Sequence, residues 1–265
     1  MKHILLLIVI IISNISAIAQ ESELRIPYTK GKSIYGILSM PATEGKHGVA
    51  IISHGFNGTH HFGRDYFDIL NKLGYAVYAF DFPCGSVNSR TDNNTMNMSV
   101  IDEKEALKTV VKYFRKQKDT DKKNIVLIGE SQGGLVSALA ASELKSKISD
   151  LILIYPALCI ADDWKARYPE VTDIPEVSDL WGVKLGRKYM MDIRSIDTFG
   201  TIGRYQGPVL IIHGSADKVV PVDYSRRAQR IYQDARLKII DKAGHGFKPE
   251  ERKLSNEYIY NFLSD

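Results

Sequence analysis

The chain has 265 residues, a length that suits one domain with a well-buried core and leaves room for an insertion. Its 35 lysines and arginines against 31 aspartates and glutamates give a net charge of +4, which is too weak to indicate a nucleic acid or an anionic membrane as partner. Two cysteines are too few for a disulfide scaffold, and the sequence has neither a metal-ligand motif nor a glycine-rich phosphate loop.

The first 19 residues have the pattern of a secretory signal peptide. A basic start, Met1-Lys2-His3, precedes a wholly apolar run from Ile4 to Ile12, and Ala17-Ile18-Ala19 forms a small-x-small cleavage signal. The apolar run is too short to span a membrane. We expect cleavage before Gln20 and a periplasmic or secreted mature protein of residues 20–265, with an uncleaved anchor as the alternative.

The rest of the chain alternates strands with helices. Glu23–Tyr28 and Ser33–Leu38 alternate apolar and polar residues, which predicts an antiparallel hairpin. A capping pattern at Ser99-x-x-Asp102 predicts the start of a helix. Six further strands are predicted to end near His54, Phe82, Glu130, Tyr155, His213 and Asp241. Eight strands in this order predict an α/β protein with a mostly parallel sheet and helices on both faces.

Residues 127–134 read Leu-Ile-Gly-Glu-Ser-Gln-Gly-Gly, so Gly129, Ser131 and Gly133 form a G-x-S-x-G motif. An apolar strand precedes the motif and a helix of small residues follows it, which is the context of a nucleophile elbow. The turn places the serine hydroxyl at a helix N-terminus, where a developing negative charge is stabilised. The alternative is an ordinary glycine-rich turn between a strand and a helix.

A base and an acid follow the serine in the chain order that this type of site requires. Asp217 lies beyond the strand Pro208–Ile212, and His245 lies beyond the strand Leu237–Ile240. The C-terminal edge of a parallel sheet is where ligands bind, so we expect Ser131, Asp217 and His245 to act together. Two alternative acids, which lack this spacing, are Asp162 and Asp163.

The loop His54-Gly55-Phe56-Asn57-Gly58, after a buried-type strand, is a candidate oxyanion loop. In this architecture one backbone N–H comes from the residue after the serine, here Gln132, and a second from the loop after the third strand, here Phe56. His54 is expected to brace the loop by hydrogen bonding rather than to act as a second base. Asn57 is a candidate for substrate contact.

One long stretch, from Ala157 to Arg204, contains no obvious strand. It forms an insertion of about residues 159–200 after the sixth strand, and its aromatic residues are Trp164, Tyr168, Trp181 and Tyr189. So long an insertion at the ligand edge is usually functional. We expect a lid in which Trp164 and Trp181 contact substrate, although packing of a small helical subdomain would also explain the aromatic residues.

The motifs HGFNG, DFPCGSVNS, GESQGG, HGSADKVVP and AGHGF together resemble the α/β-hydrolase superfamily, from about Tyr28 to the C-terminus. Within it, the chain looks like compact bacterial hydrolases of the cinnamoyl/feruloyl-esterase type. The resemblance implies an α/β-hydrolase fold with a small lid and the triad Ser131, Asp217 and His245. Glu130 departs from the pattern, since many relatives have histidine there.

We therefore expect a secreted serine carboxylic-ester hydrolase that works through an acyl-enzyme without a cofactor. The resemblance implies hydroxycinnamoyl or short acyl esters as substrates, either small molecules or esters linked to carbohydrate. Two other functions stay open: a serine exopeptidase or acyl-aminoacyl peptidase, and a non-catalytic ligand-binding protein. The sequence also leaves open a homodimer and, in an oxidising compartment, a disulfide between Cys84 and Cys159.

Overall fold

The computed structural model describes residues 19–29 and 31–265. Residues 1–18, which hold most of the predicted signal peptide, lie outside the described residues. The strands are β1 (Gln20–Pro27), β2 (Ser33–Met40), β3 (His47–Ser53), β4 (Tyr75–Phe80), β5 (Thr120–Glu130), β6 (Asp150–Ile154), β7 (Val177–Leu180), β8 (Val183–Gly186), β9 (Val209–Gly214) and β10 (Ala235–Ile240).

Eight α-helices and four short 3₁₀ helices connect the strands within the described residues. The α-helices are α1 (Phe67–Lys72), α2 (Val100–Phe114), α3 (Gln132–Leu144), α4 (Ile160–Arg167), α5 (Arg187–Arg194), α6 (Thr198–Ile202), α7 (Val222–Ile231) and α8 (Pro249–Ser264). The 3₁₀ helices are Arg64–Tyr66, Thr95–Asn97, Lys145–Lys147 and Val171–Asp173. The predicted cap of α2 is present, because Ser99 Oγ accepts a hydrogen bond from the Asp102 N–H at 3.3 Å.

The main sheet has eight strands in the order β1-β2-β4-β3-β5-β6-β9-β10. The predicted N-terminal hairpin pairs antiparallel, and β2 is antiparallel to β4, whereas every other neighbouring pair in this sheet is parallel. The mostly parallel, eight-stranded sheet implied by the resemblance is therefore confirmed. β5, β6, β9 and β10 run in the same direction, so the loops that follow them meet at one edge.

Successive residues of the central strands point to opposite faces of the sheet and pack under different helices. On one face, Leu127 of β5 joins a cluster with the buried side chains of α2 and α3. On the other face, Ile128 of the same strand packs with Phe67 of α1 and Phe262 of α8. Both faces are thus buried, which explains the nearly continuous apolar sequence of these strands.

The segment between β6 and β9 differs from the prediction that it lacks strands. It contains a two-stranded antiparallel hairpin, β7–β8, between α4 and α5. The turn is formed by Trp181 and Gly182, both with positive φ (51° and 82°). Each strand has only four residues, too few to show a clear alternation of apolar and polar residues. Within the described part of the chain, none of the helices combines the length and the apolar character needed to cross a membrane.

Candidate active site

Ser131 lies in a strained turn between β5 and α3, with φ 51° and ψ −120°. The flanking glycines are needed because other backbone segments approach them closely. A Cβ added to Gly129 would lie 2.6 Å from the carbonyl carbon of Gly133, and one added to Gly133 would lie 2.7 Å from that of Ser53. Backbone cannot move aside as a flexible side chain can, so the G-x-S-x-G pattern follows from the geometry of the turn.

The structure brings Ser131, His245 and Asp217 together in one hydrogen-bonded line. The Nε2 atom of His245 lies 2.9 Å from Ser131 Oγ, and its Nδ1 atom lies 2.8 Å from Asp217 Oδ2. A carboxylate at Nδ1 holds the proton on that nitrogen, so Nε2 is left to accept the serine proton. His245 reaches both partners from the loop that follows β10, and its side chain is 21% exposed.

Asp217 is held in the ionised form by several donors at once. Its Oδ1 accepts hydrogen bonds from the N–H groups of Val219 (2.8 Å) and Val220 (2.9 Å). His213 Nε2 lies 3.2 Å from Oδ2. Burial by itself would raise the pKa of Asp217, but the hydrogen bonds from His213, His245 and Val220 outweigh burial and hold the pKa well below its usual value.

His213 is a supporting residue to which the sequence reasoning assigned no role. It is fully buried, and its Nδ1 atom lies 2.7 Å from Ser225 Oγ on α7. The histidine therefore connects the carboxylate of Asp217 to the helix packed behind it. The sequence did contain a signal for this role, because His213 lies near the end of β9 and only four residues before the predicted acid, Asp217.

The alternative acids have other partners. Asp162 accepts a hydrogen bond from the Tyr224 hydroxyl at 2.9 Å. Asp163 lies on the wall of the cavity next to Ser131, where its carboxyl group helps to raise the pKa of the Cys159 thiol. The carboxylate that contacts His245 is that of Asp217.

The predicted oxyanion loop packs directly against the serine. A Cβ added to Gly55 would lie 3.2 Å from Ser131 Cβ, and the next residue, Phe56, lines the same cavity as Ser131 and Gln132. Gln132 is the first residue of α3, so its N–H has no acceptor within the helix and is free to meet an oxyanion. Both residues predicted to form the oxyanion hole therefore line the cavity together with Ser131, and the role of their amides stays a prediction.

His54 braces this loop, as expected. It is buried, and its Nε2 accepts a hydrogen bond from the Phe82 N–H at 3.1 Å, which leaves Nδ1 to donate to the Gly55 carbonyl at 2.7 Å. Burial lowers the pKa of His54 to about 4, so the ring is neutral at physiological pH. The side chain of Asn57 connects this loop to the loop that follows β4. Its Oδ1 accepts a hydrogen bond from the Val87 N–H at 3.0 Å. Asn57 is not among the residues that line the cavity beside Ser131, and its contact with substrate stays a prediction.

A cavity of about 160 Å³ opens beside Ser131 and is roofed by the insertion. Trp164 and Trp181 both line it but differ in exposure, 5% against 70%. Trp164 packs in the core of the lid, with its ring stacked on Tyr168 and edge-on to Tyr189. Trp181, at the tip of the β7–β8 hairpin, packs edge-on against the Phe56 ring, with 5.7 Å between the ring centroids. The insertion thus closes over the oxyanion loop through one exposed tryptophan.

The unusual Glu130 faces away from the cavity into a buried polar cluster. Its carboxylate accepts a hydrogen bond from the Tyr155 hydroxyl at 2.6 Å and lies 3.4 Å from Arg252 Nη1 of α8. Burial raises the pKa of Glu130 although Arg252 opposes the shift. The Tyr155 ring also packs against His245, with 4.9 Å between ring centroids. Glu130 therefore supports the base from behind, through Tyr155.

A second buried carboxyl, Glu103 of α2, was not anticipated. Gln132 Nε2 donates to its two oxygens at 2.8 and 3.1 Å, and Gln132 Oε1 accepts from the Tyr189 hydroxyl at 2.7 Å. The sequence held a signal, because Glu103 shares the apolar face of α2 with Ala106, Leu107 and Val110. A glutamate on such a face needs a polar partner in the interior.

Cys84 and Cys159 are both free and buried, so the disulfide left open by the sequence is not formed. Asp92 near Cys84 and Asp163 near Cys159 both disfavour a negative charge on the neighbouring thiol. Burial raises the pKa of both thiols, that of Cys84 to about 11, which favours the protonated form. Within residues 19–29 and 31–265 there is no cluster of three or more His, Cys, Asp or Glu side chains that could hold a metal ion.

Comparison with protein families identifies a match over residues 44–196 to the family described as serine aminopeptidase, S33. The chain is also 24% identical over 253 residues to putative esterase/lipase 2 of Mycoplasma genitalium, which covers 82% of this chain and 89% of that protein. It is 25% identical over 213 residues to the human serine hydrolase BPHL, covering 72% of this chain and 71% of BPHL.

Among solved structures, Est1E from Butyrivibrio proteoclasticus superimposes with a TM-score of 0.80 at 26% identity, over 91% of this chain and 97% of Est1E. A second structure of Est1E, with ferulic acid bound, gives a TM-score of 0.81 at 25% identity, over 91% of this chain and 100% of that chain. The similarity therefore extends over most of this chain.

The packing of the elbow predicts that Gly129→Ala will destabilise the protein by about 3 kcal/mol or more, since the new methyl group meets backbone on the opposite side of the turn. The matched control is Gly244→Ala, where an added Cβ has no heavy atom within 4 Å, and where we expect a change within about 0.5 kcal/mol. Urea unfolding of the purified variants measures both. Equal stability of the two variants would contradict the steric account of the elbow.

Proposed function

The chain belongs to the serine aminopeptidase S33 family of α/β-hydrolases, and we propose that it hydrolyses carboxylic esters through an acyl-enzyme. The observation that carries the proposal is the line of hydrogen bonds from Asp217 through His245 to Ser131, which ends at the mouth of an apolar cavity. Serine becomes an effective nucleophile when a base accepts its proton and a third group orients that base.

In the proposed mechanism, Ser131 Oγ attacks the ester carbonyl while His245 Nε2 takes the hydroxyl proton. The carbonyl oxygen becomes an oxyanion, which accepts hydrogen bonds from the N–H groups of Gln132 and Phe56. His245 then protonates the departing alcohol, and the acyl group remains on Ser131. Water attacks the acyl-enzyme with His245 again as base, and the carboxylic acid leaves. Throughout, the ionised Asp217 stabilises the imidazolium.

We further propose that the acyl group is aromatic, of the hydroxycinnamoyl type. The cavity is bordered by the rings of Phe56, Trp164, Trp181 and Tyr189, and its volume of about 160 Å³ is close to that of an apolar cavity of about 150 Å³ that holds benzene. Aromatic walls bind a flat ring through edge-on and stacked contacts. The structural similarity to Est1E, which has been solved with ferulic acid bound, supports the same acyl class.

An aminopeptidase is the second candidate, favoured by the family's description and by the carboxyl group of Asp163 on the cavity wall. A carboxylate at that place is a suitable partner for a peptide's terminal ammonium. However, Arg167 lines the same cavity, and its positive charge opposes an ammonium group nearby. The presence of both charges in the cavity therefore favours an ester substrate over a peptide with a terminal ammonium group.

We also propose that the protein is exported and cleaved before Gln20. Gln20 is the first residue of β1 and pairs with Met40 of β2, so cleavage after Ala19 leaves the whole edge strand intact. The mature chain would then consist of the hydrolase domain with its lid.

If Ser131 is the nucleophile, Ser131→Ala should lower kcat for p-nitrophenyl acetate by a factor of about 10⁴ or more while the fold persists. His245→Ala should be about as damaging and Asp217→Asn severe, because the three residues act as a unit. Ser142→Ala, which removes a buried hydroxyl within α3, is the control and should retain activity. If Asp163→Asn loses most of its kcat while Asp217→Asn loses little, the acid of the triad has been misassigned.

If the lid tryptophan contacts an aromatic acyl group, Trp181→Ala should lower kcat/KM for methyl ferulate a few-fold to about tenfold. The kcat/KM for p-nitrophenyl acetate should fall much less. Trp181 is exposed, so stability should hold, whereas Trp164→Ala should cost about 3 kcal/mol or more and affect both substrates. The control Tyr260→Ala removes an exposed aromatic ring of α8 that does not line this cavity.

Equal losses on both esters in Trp181→Ala would remove the aromatic acyl proposal. The same panel includes L-phenylalanine p-nitroanilide, which tests the second candidate. A higher kcat/KM for the anilide than for methyl ferulate, abolished in Asp163→Asn, would favour the aminopeptidase over the esterase.

Export predicts that protein recovered from the native host begins at Gln20 or within about two residues of it, as mass spectrometry of the intact chain would show. Leu6→Arg places a charge in the apolar run and should leave the chain uncleaved in the cytoplasm. An intact Met1 on cytoplasmic wild-type protein would overturn the proposed localisation.

A further inference from the structure

The side chain of Gln132 connects three separate parts of the molecule. Its Nε2 donates to Glu103 of α2, and its Oε1 accepts from the hydroxyl of Tyr189 on the lid helix α5. All three side chains are almost completely buried, with 2% exposure at Gln132 and 1% at each of the other two. Buried hydrogen bonds of this kind are costly to break, because each polar group would be left without water.

Gln132 also carries the backbone N–H that faces the oxyanion in the proposed reaction. The side chain and this N–H belong to the same residue, so fixing the side chain restrains the peptide plane between Ser131 and Gln132. Such restraint matters here because Ser131 occupies an unfavourable backbone conformation, with φ 51°. An oxyanion donor is effective only when it is already in place as charge develops.

We propose that Glu103 and Tyr189 are positioning residues that hold the Gln132 amide in the oxyanion hole, and that Tyr189 makes this alignment depend on a docked lid. Because this inference rests on the proposed ester hydrolysis, it concerns the same reaction. Glu103 does not line the cavity, so it acts through Gln132 and not on the substrate. Tyr189 does line it, and its ring lies edge-on to Trp164 at 5.6 Å.

The protonation of Glu103 suits this role. Burial raises the pKa of Glu103 to about 8, against a smaller opposing effect of its hydrogen bond with Gln132. The carboxyl is therefore mostly neutral at pH 7. A neutral acid accepts the hydrogen bond from Gln132 without placing a negative charge behind the amide that must stabilise an oxyanion.

The test compares Tyr189→Phe with wild-type protein. The substitution removes one hydroxyl and keeps the ring on the cavity wall. Stoichiometric release of p-nitrophenolate from diethyl p-nitrophenyl phosphate counts the reactive serines, so kcat can be expressed per active site. We expect kcat per site to fall about two- to tenfold for both methyl ferulate and p-nitrophenyl acetate, with KM unchanged, because the Gln132 amide, which contacts the oxyanion only in the transition state, is held less firmly.

Two further variants separate positioning from folding. Glu103→Leu should lower kcat per site in the same way, and Glu103→Gln, which keeps an acceptor for Gln132, should restore most of it. Tyr205→Phe is the matched control: it removes another buried hydroxyl, which donates to the Ser149 carbonyl at 3.0 Å at the opposite end of the sheet. Its kcat per site should equal that of wild type even if the melting temperature falls.

The inference is wrong if Tyr189→Phe and Glu103→Leu melt earlier but turn over normally per titrated serine. It is also wrong if Tyr189→Phe raises only KM for methyl ferulate, since Tyr189 would then be a wall residue alone. Failure of the proposed function would give a different result. Wild-type protein would then release no stoichiometric p-nitrophenolate from diethyl p-nitrophenyl phosphate, and the inference would be wrong as well.

Discussion

The close approach of backbone segments around Ser131 is the constraint on which the rest of the site depends. β5 ends in a turn so tight that Gly129 meets Gly133, while Gly133 meets the end of β3. These contacts fix the serine relative to two strands at once. The base and the acid can then approach from the ends of β10 and β9, because neighbouring parallel strands present their loops at the same edge.

Three buried carboxyl groups surround this turn, and each is stabilised differently. Asp217 has several donors and stays ionised, Glu130 has the Tyr155 hydroxyl and a partly exposed arginine, and Glu103 has the amide of Gln132. A carboxylate without such partners would be expensive to bury. The differences in hydrogen bonding thus shift the pKa values of these acids in different directions: the pKa is lowered at Asp217, next to His245, and raised by burial at Glu130 and Glu103.

The sequence predicted the elements whose cause is local. The G-x-S-x-G turn, the Ser99 cap and the hairpin at the N-terminus each follow from residue type and spacing, and the structure places the predicted serine, acid and base in contact. The contacts of Tyr189 and Glu103 with Gln132 could not be derived in this way. They join residues that are 57 and 29 positions apart in sequence, and such pairing depends on how α2 and α5 pack. The lid hairpin was not predicted because its strands are short, and the contact of Asn57 with Val87 could not be derived because Val87 belongs to another loop.

The place of the lid in the chain has a consequence for how such an enzyme can change. The lid leaves the sheet after β6 and returns at β9, and these two strands are hydrogen-bonded neighbours, with Ile154 paired to Ile212. Both ends of the insertion are therefore fixed by neighbouring strands, the first where β6 ends at Ile154 and the second where β9 begins at Val209, which pairs with Leu151. The entropic cost of closing a loop rises only slowly with the number of residues in it. The whole segment could therefore be replaced by one of a different length at little cost in stability. If the lid selects the acyl group, as we propose, grafting the equivalent segment from a relative would change that selection while the strand register beneath Ser131, Asp217 and His245 stays the same.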